Sequence, residues 1–178
     1  MANTVKWVVD PMHSELQFKV KHLVISTVTG SFKVFSGEVL SPETDFAGAA
    51  VSFSADVNSI NTDNEQRDGH LKSPEFFDAA SFPAIDFKGK SLTKKGDSEY
   101  TLEGDLTIKG NTHPVTLAVE FGGSTVDFYG QTKAGFEVTG KINRKDFGLV
   151  WDGITETGSV VVSDEVKIIG NIQFTKQA

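Results

Sequence analysis

The stretch ELQFKVKH, Glu15 to His22, alternates without a break: Leu16, Phe18, Val20 and His22 take one parity, Glu15, Gln17, Lys19 and Lys21 the other. Successive side chains on a strand point to opposite faces, so this pattern predicts a β-strand with one dry face and one wet face. The same period recurs downstream. Val51, Phe53, Ala55 and Val57 share a face, as do Ile85 and Phe87, and Tyr100, Leu102, Leu106 and Ile108. So do Val115, Leu117, Val119 and Phe121; Ala134, Phe136, Val138 and Ile142; and Val166, Ile168, Ile172 and Phe174. Phe32 and Val34 share one parity before Phe35, Gly37 and Val39 take the other, which predicts a bulge that bends the sheet.

Turn signals separate these runs: Lys95-Gly96-Asp97, Gly110-Asn111 and Gly122-Gly123. Short connections imply antiparallel hairpins. The sum is about eight strands, each apolar on one side, which is enough to close a barrel. Inward glycines and small residues (Ala55, Gly104, Ala134, Gly140, Gly170) are expected to leave room inside it. No linker or charge block divides the chain, so residues 1–178 are read as one domain.

One segment departs from period two. NTDNEQRDGHLKSPEFFDAASFP, Asn61 to Pro83, reads as helical. Thr62 with Glu65 has capping-box spacing, Asp63 and Arg67 stand four apart, and Ser73-Pro74 predicts a second helix start carrying Phe76 and Phe77. A polar helix leading into an apolar one suits a plug across one end of a barrel.

Composition excludes several functions. The net charge of -7 disfavours nucleic acid and anionic membrane surfaces, both of which want a cationic face. The chain has no Cys, hence no disulfide, thiolate metal site or cysteine nucleophile. No apolar run approaches the roughly 18 residues of a membrane span, so no integral membrane segment is expected. Fourteen of the eighteen aromatics are Phe, which has no polar atom to satisfy, and this predicts a large dry interior.

Asp10, His13 and Ser14 have the residue types of a nucleophilic triad. Neighbours on a strand point apart, and no G-x-S-x-G elbow occurs, so these three are read as shaping a turn at Asp10-Pro11. The four histidines, His13, His22, His70 and His113, lack close ligand spacing, and no metal or other cofactor is expected. Arg67, Asp68, Arg144, Lys145 and Asp146 are read as pairing or capping, with Arg144 also a candidate at a ligand's mouth because it flanks the aromatic turn of Phe147 and Trp151.

Several stretches resemble the YceI-like, polyisoprenoid-binding family. DPMHSELQFKVKHL is similar to its opening D-x-x-H-S and strand, and TVTGSFKVFSGEV to its G-x-F-x-x-F-x-G strand. INTDNEQRDGHLKSPEFFDAASFPAIDF carries the N-T-x-N-x-x-R-D-x-H-L-x-S-x-x-F-F-D core, while LEGDLTIKGNTHPVTL and INRKDFGL resemble later patterns. The resemblance implies an all-β, lipocalin-like antiparallel barrel, with a long-chain isoprenoid or other amphiphilic lipid as the partner and no catalytic residues. The wall is then expected to include Phe18, Val20, Phe32, Phe53, Phe87, Leu102, Leu106, Phe136 and Ile168, with Phe76 and Phe77 closing one end and His22, Arg144 and Trp151 at the mouth. An enzyme acting on such a lipid through His13, Ser14 or Asp146, and a filled barrel serving as an interaction module, remain the alternatives. Many family members are exported to the periplasm. MANTVKWVVD shows no signal peptide, so the expectation is cytoplasmic, or periplasmic for a mature form. A homodimer is among the expected assemblies.

Overall fold

The computed structural model describes residues 4–23, 25–42, 45–151 and 162–177. Its strands are β1 (Thr4–Val9), β2 (Glu15–His22), β3 (Ser26–Phe32), β4 (Phe35–Pro42), β5 (Ala50–Asp56), β6 (Ile60–Asn61), β7 (Ala84–Lys94), β8 (Glu99–Ile108), β9 (Asn111–Val126), β10 (Thr132–Asn143) and β11 (Val162–Lys176). The single α-helix among the described residues is α1 (Glu65–Lys72).

These strands make eight staves. β2 pairs with β3 and β1 with β4, so β1 continues into β2 and β3 into β4 as two long, interrupted strands. β4 pairs with β5 and β3 with β6, giving a third. β7 to β11 follow as an antiparallel meander. β11 has β10 along one side, and β2 followed by β1 along the other, and this last pairing closes the barrel. Closure pairs the long staves on both sides, which removes most of the sheet edge that could template aggregation.

The period-two faces point inward as the sequence predicts: Tyr100, Leu102, Leu106 and Ile108 are all buried. The local irregularities differ from expectation. Phe32 is buried but Val34 is exposed, because the strand breaks at 33–34 and its hydrogen bonds pass to Ser59 and Asp56. Gly122-Gly123 is not a turn: β9 runs straight through it, and the glycines absorb a register shift opposite Gly135 and Phe136. The turn comes later, where Asp127 accepts from Tyr129 N and Gln131 N.

The insertion between β6 and β7 sits at what we call the upper end, with the β2–β3 and β8–β9 hairpins. Its helix is capped by Asn64, whose side chain accepts from Arg67 N, and not by Thr62. Thr62 instead bonds Asp68 and receives Arg67 Nε at 2.8 Å, so Arg67 turns to Thr62 in place of Asp63. Ser73 starts no second helix: it caps the end of α1, its N–H and hydroxyl both donating to His70 O, and tight turns follow. Those turns carry Phe76 and Phe77 into the barrel end.

Candidate functional site

The barrel encloses a tube with a cavity volume of about 240 Å³. Of its lining side chains, Gln17 and Arg144 are the polar ones; the rest are apolar or glycine. Along β11 the wall includes Val162 and then runs on one parity from Val166 to Phe174. The eight steps from Val166 to Phe174, at about 3.3 Å each and tilted by roughly 40°, make this stretch of the tube on the order of 20 Å long. Phe18, Val20, Val115, Phe136 and Val138 all face the axis of a closed barrel and yet are only half-buried. Facing a void is the reason, so the interior is lined and not filled.

The void does not come from the inward glycines in the way the sequence suggests. Phe18 is the cross-strand partner of Gly30, and Phe53 of Gly37. A Cβ placed on Gly104 would lie 2.6 Å from the Phe87 ring, and one on Gly140 would overlap Leu117. Large side chains lie flat across these glycines and occupy their space, which leaves the centre of the tube open. Gly170 is the exception and lines the tube itself.

Phe18, Val20, Phe32, Phe53, Phe76, Phe77, Phe87, Leu102, Leu106, Phe136, Arg144 and Ile168 all lie on the wall. His22 does not: it is half-buried at the end of β2, paired with Ser26 and Val162. Trp151 packs behind the wall, on His70 at 4.8 Å and Phe76 at 5.3 Å between ring centres. The upper end is closed by Phe77, which meets Phe32 edge-on, with Leu71 and Leu149 beside it.

Arg144 is 2 % exposed, donates to backbone carbonyls and lies 3.7 Å from the Asp164 carboxylate. Nε donates to Ser163 O at 2.8 Å, and NH1 to Leu149 O at 2.6 Å and Trp151 O at 2.7 Å. NH2 donates to Val162 O at 3.1 Å. The guanidinium therefore ties the 144–151 turn to the start of β11.

The triad candidates separate. Asp10 caps a 3₁₀ turn at Pro11–His13 and bonds His13 Nδ1 at 2.8 Å and Lys133 Nζ at 3.0 Å. Burial pushes the Asp10 carboxyl up, but the hydrogen bonds from His13 and Lys133 outweigh it and hold the group below its ordinary value. Ser14 Oγ turns instead to β11, accepting from Gln173 N at 2.8 Å and donating to Gln173 O at 3.3 Å. Asp10 N also donates to Gln173 O. Gln173 faces the gap between β1 and β2, so Asp10 and Ser14 replace the ladder bonds that the gap removes. Of the other histidines, His70 bonds Glu75 and His113 meets Phe147 edge-on. Asp146 is exposed, outside the tube.

Sequence reasoning missed Phe46, which forms the floor of the tube. It sits in the loop before β5, outside any alternating run, and its ring packs on Phe136 at 4.9 Å and on Trp7 and Phe121, each at 5.3 Å. An isolated Phe in a stretch of small residues (DFAGAA, Asp45 to Ala50) is the only signal it leaves. Leu71, the one apolar member of α1 on the wall, was hidden in a helix that reads as polar all round.

A family model described as YceI-like domain matches residues 7–174. A UPF0312 protein of Staphylococcus aureus is 41% identical over 167 residues, covering 93% of this chain and 95% of its own. Among solved structures, the Campylobacter jejuni YCEI protein is 31% identical with a TM-score of 0.76, covering 89% of this chain and 90% of its own. Burkholderia cenocepacia BcnA has a TM-score of 0.81 at 24% identity, covering 93% and 98%. A polyisoprenoid binding domain from Saccharophagus degradans has a TM-score of 0.65 at 18% identity, covering 99% and 100%.

Proposed function

The chain belongs to the YceI-like domain family, and from that membership and the shape of its interior we propose that it binds a long-chain amphiphilic lipid, of isoprenoid type, without acting on it chemically. The observation that carries this reading is the tube: long, narrow, continuous and apolar apart from Gln17 and a guanidinium engaged with backbone. Each methylene moved from water into such a wall gains about 0.8 kcal/mol, so ten give about 8 kcal/mol. That exceeds the lower range of association costs, several kcal/mol, without any ionic clamp. The polyisoprenoid-binding name of the Saccharophagus degradans domain agrees with this, although at 18% identity that likeness speaks for the fold alone.

A non-catalytic role is supported by the divergence of His13 and Ser14, and by the position of Asp146 outside the tube. Carriage, storage or sequestration follows from binding without turnover. Protein purified without detergent, extracted with organic solvent and read by mass spectrometry is expected to yield about one long-chain isoprenoid lipid per chain, unchanged after incubation. Recovery of no lipid, even after exposure to a total bacterial lipid extract, sinks the proposal.

A further inference from the structure

The hairpin that joins β9 to β10 lies at the lower end of the barrel, opposite α1, and it overhangs its neighbour. The β8–β9 ladder ends at Glu99 and Glu120, with one last bond from Phe121 N to Ser98 O. From Gly122 to Val126, β9 has β10 as its one ladder partner among the described residues. Five residues at about 3.3 Å each carry the tip roughly 16 Å along the strand past β8. Residues 122–126 are all exposed. At the tip Phe128 is 107% exposed and Tyr129 90%, with Val126 at 63% beside them.

Three exposed large apolar side chains in four positions is a concentration found nowhere else among the described residues. The others, Met12, Ile25, Val34, Leu40, Phe82 and Val150, come singly from separate segments. Scattered apolar residues are ordinary on a surface, whereas a cluster marks a contact. The tip also has unusual polar chemistry. GGSTVDFYGQT, Gly122 to Thr132, carries one charge, Asp127. That carboxylate is folded into the turn, where Oδ1 accepts from Tyr129 N at 2.9 Å and Gln131 N at 3.0 Å. Asp127 N donates to Gln131 O, and Gly130 N to Asp127 O. The turn thus meets most of the needs of its own backbone, which is the condition for entering a medium poor in hydrogen-bonding partners.

A protein partner would have to enclose the two rings, which together offer at most about 500 Å². A stable protein interface takes about 800 Å² from each side. The same shortfall sets aside a second copy of this chain. A lipid surface needs no matching pocket: Phe enters the acyl boundary, and Tyr keeps its hydroxyl among the head groups. With no cation on the tip and a net charge of -7 on the chain, an anionic surface is disfavoured. We propose that the β9–β10 tip is a membrane-docking device, which seats Phe128 and Tyr129 in the interfacial layer of an uncharged lipid surface. The tip carries this inference by itself, whether or not the tube holds a lipid. Phe121 and Phe136, cross-strand partners at the base of the same hairpin, pack on Phe46, so docking brings the floor of the tube toward the membrane.

The test is sedimentation of the protein with sucrose-loaded phosphatidylcholine vesicles. One acyl chain gives half-binding at about 0.1 mM lipid, and two shallow rings anchor less, so half-binding is expected at about 1 mM. Phe128→Ser combined with Tyr129→Ser is expected to weaken partition by roughly tenfold or more, and Ile25→Ser, at the opposite end, to leave it unchanged. Phe128→Trp adds an indole at the tip. Its emission is expected to shift to the blue, and to be quenched by phosphatidylcholine brominated along its acyl chains beyond what the unaltered protein shows. Absence of partition by the unaltered protein at about 10 mM lipid overturns the proposal. So does a loss in Ile25→Ser equal to that in the double variant. Partition seen only when about a third of the lipid is phosphatidylglycerol overturns the uncharged surface. A dimer on size exclusion that the double variant abolishes, without vesicle binding, gives the tip to a second copy and overturns it too. Each of these failures leaves the lipid-binding reading of the tube standing.

Discussion

Arg144 shows how far a residue's neighbours in space can change what its neighbours in sequence suggest. Beside Phe147 and Trp151 it reads as a clamp for a ligand. In the fold it is a buried cation whose donors hold four backbone carbonyls in place. Removing it leaves those oxygens buried without a donor, a penalty of about 1–3 kcal/mol for each that water cannot reach. Arg144→Ala is therefore expected to lower stability by about 3 kcal/mol or more in urea unfolding, with no change in which lipid head is preferred. Arg144→Lys should rescue little of this, because one ammonium cannot span the geometry of a planar fork. A head-group preference that shifts in Arg144→Lys while stability holds would return the residue to the ligand. Asp10 and Ser14 carry the same lesson. Their short separation looks catalytic, but both are directed at Gln173, where a stave of the barrel is interrupted.

At the scale of the element, the staves were legible and most of their interruptions were not. Strand parity depends on which side of a sheet is dry, and that is written locally in Leu102, Leu106, Phe136 and Ile168. The parity switch between Phe32 and Phe35 marks the place of the break at 33–34, whereas the straight run through Gly122-Gly123 and the failed helix at Ser73 depend on what lies across the sheet or under the turn, which no local window contains. Phe46 belongs to the same class: a plug is defined by the hole it fills. The glycines of the wall separate two kinds of tightness, and this can be tested. A Cβ on Gly104 would meet backbone, Lys88 O at 2.5 Å and Gly89 Cα at 2.8 Å, as well as the Phe87 ring. At Gly30 it would overlap the Phe18 ring, with the Thr62 methyl 2.9 Å away. Both alanine variants are expected to lose about 1–3 kcal/mol through overpacking. Adding Phe18→Leu should recover most of the Gly30→Ala loss, since a side chain gives way. Adding Phe87→Leu should recover little at Gly104, since the strand next to it does not. Equal recovery in the two double variants would refute this account of the wall.

For the whole molecule, the question is what an eight-stranded barrel with an unfilled axis gains from staying unfilled. A core packed for stability alone would close on itself, because each missing contact forfeits dispersion energy. Val115 and Val138 face the axis and remain half-buried, so the fold tolerates a column of space that a few larger side chains would occupy. Val115→Phe and Val138→Phe each add four carbons to that column. In a core already packed, two such changes would cost about 1–3 kcal/mol each. In a lined tube they bury new apolar surface at about 25 cal/mol per Å² and fill a void. The double variant is therefore expected to melt at or above the temperature of the unaltered protein, and to retain none of the lipid that the unaltered protein is proposed to bind. A double variant that is destabilised by several kcal/mol yet still holds its lipid would mean that the space lies elsewhere than along this axis. Retained stability with lost cargo would separate the two roles of the interior: the eight staves hold themselves up through their own hydrogen bonds and the rings laid across their glycines, and the column between them is kept open for a guest.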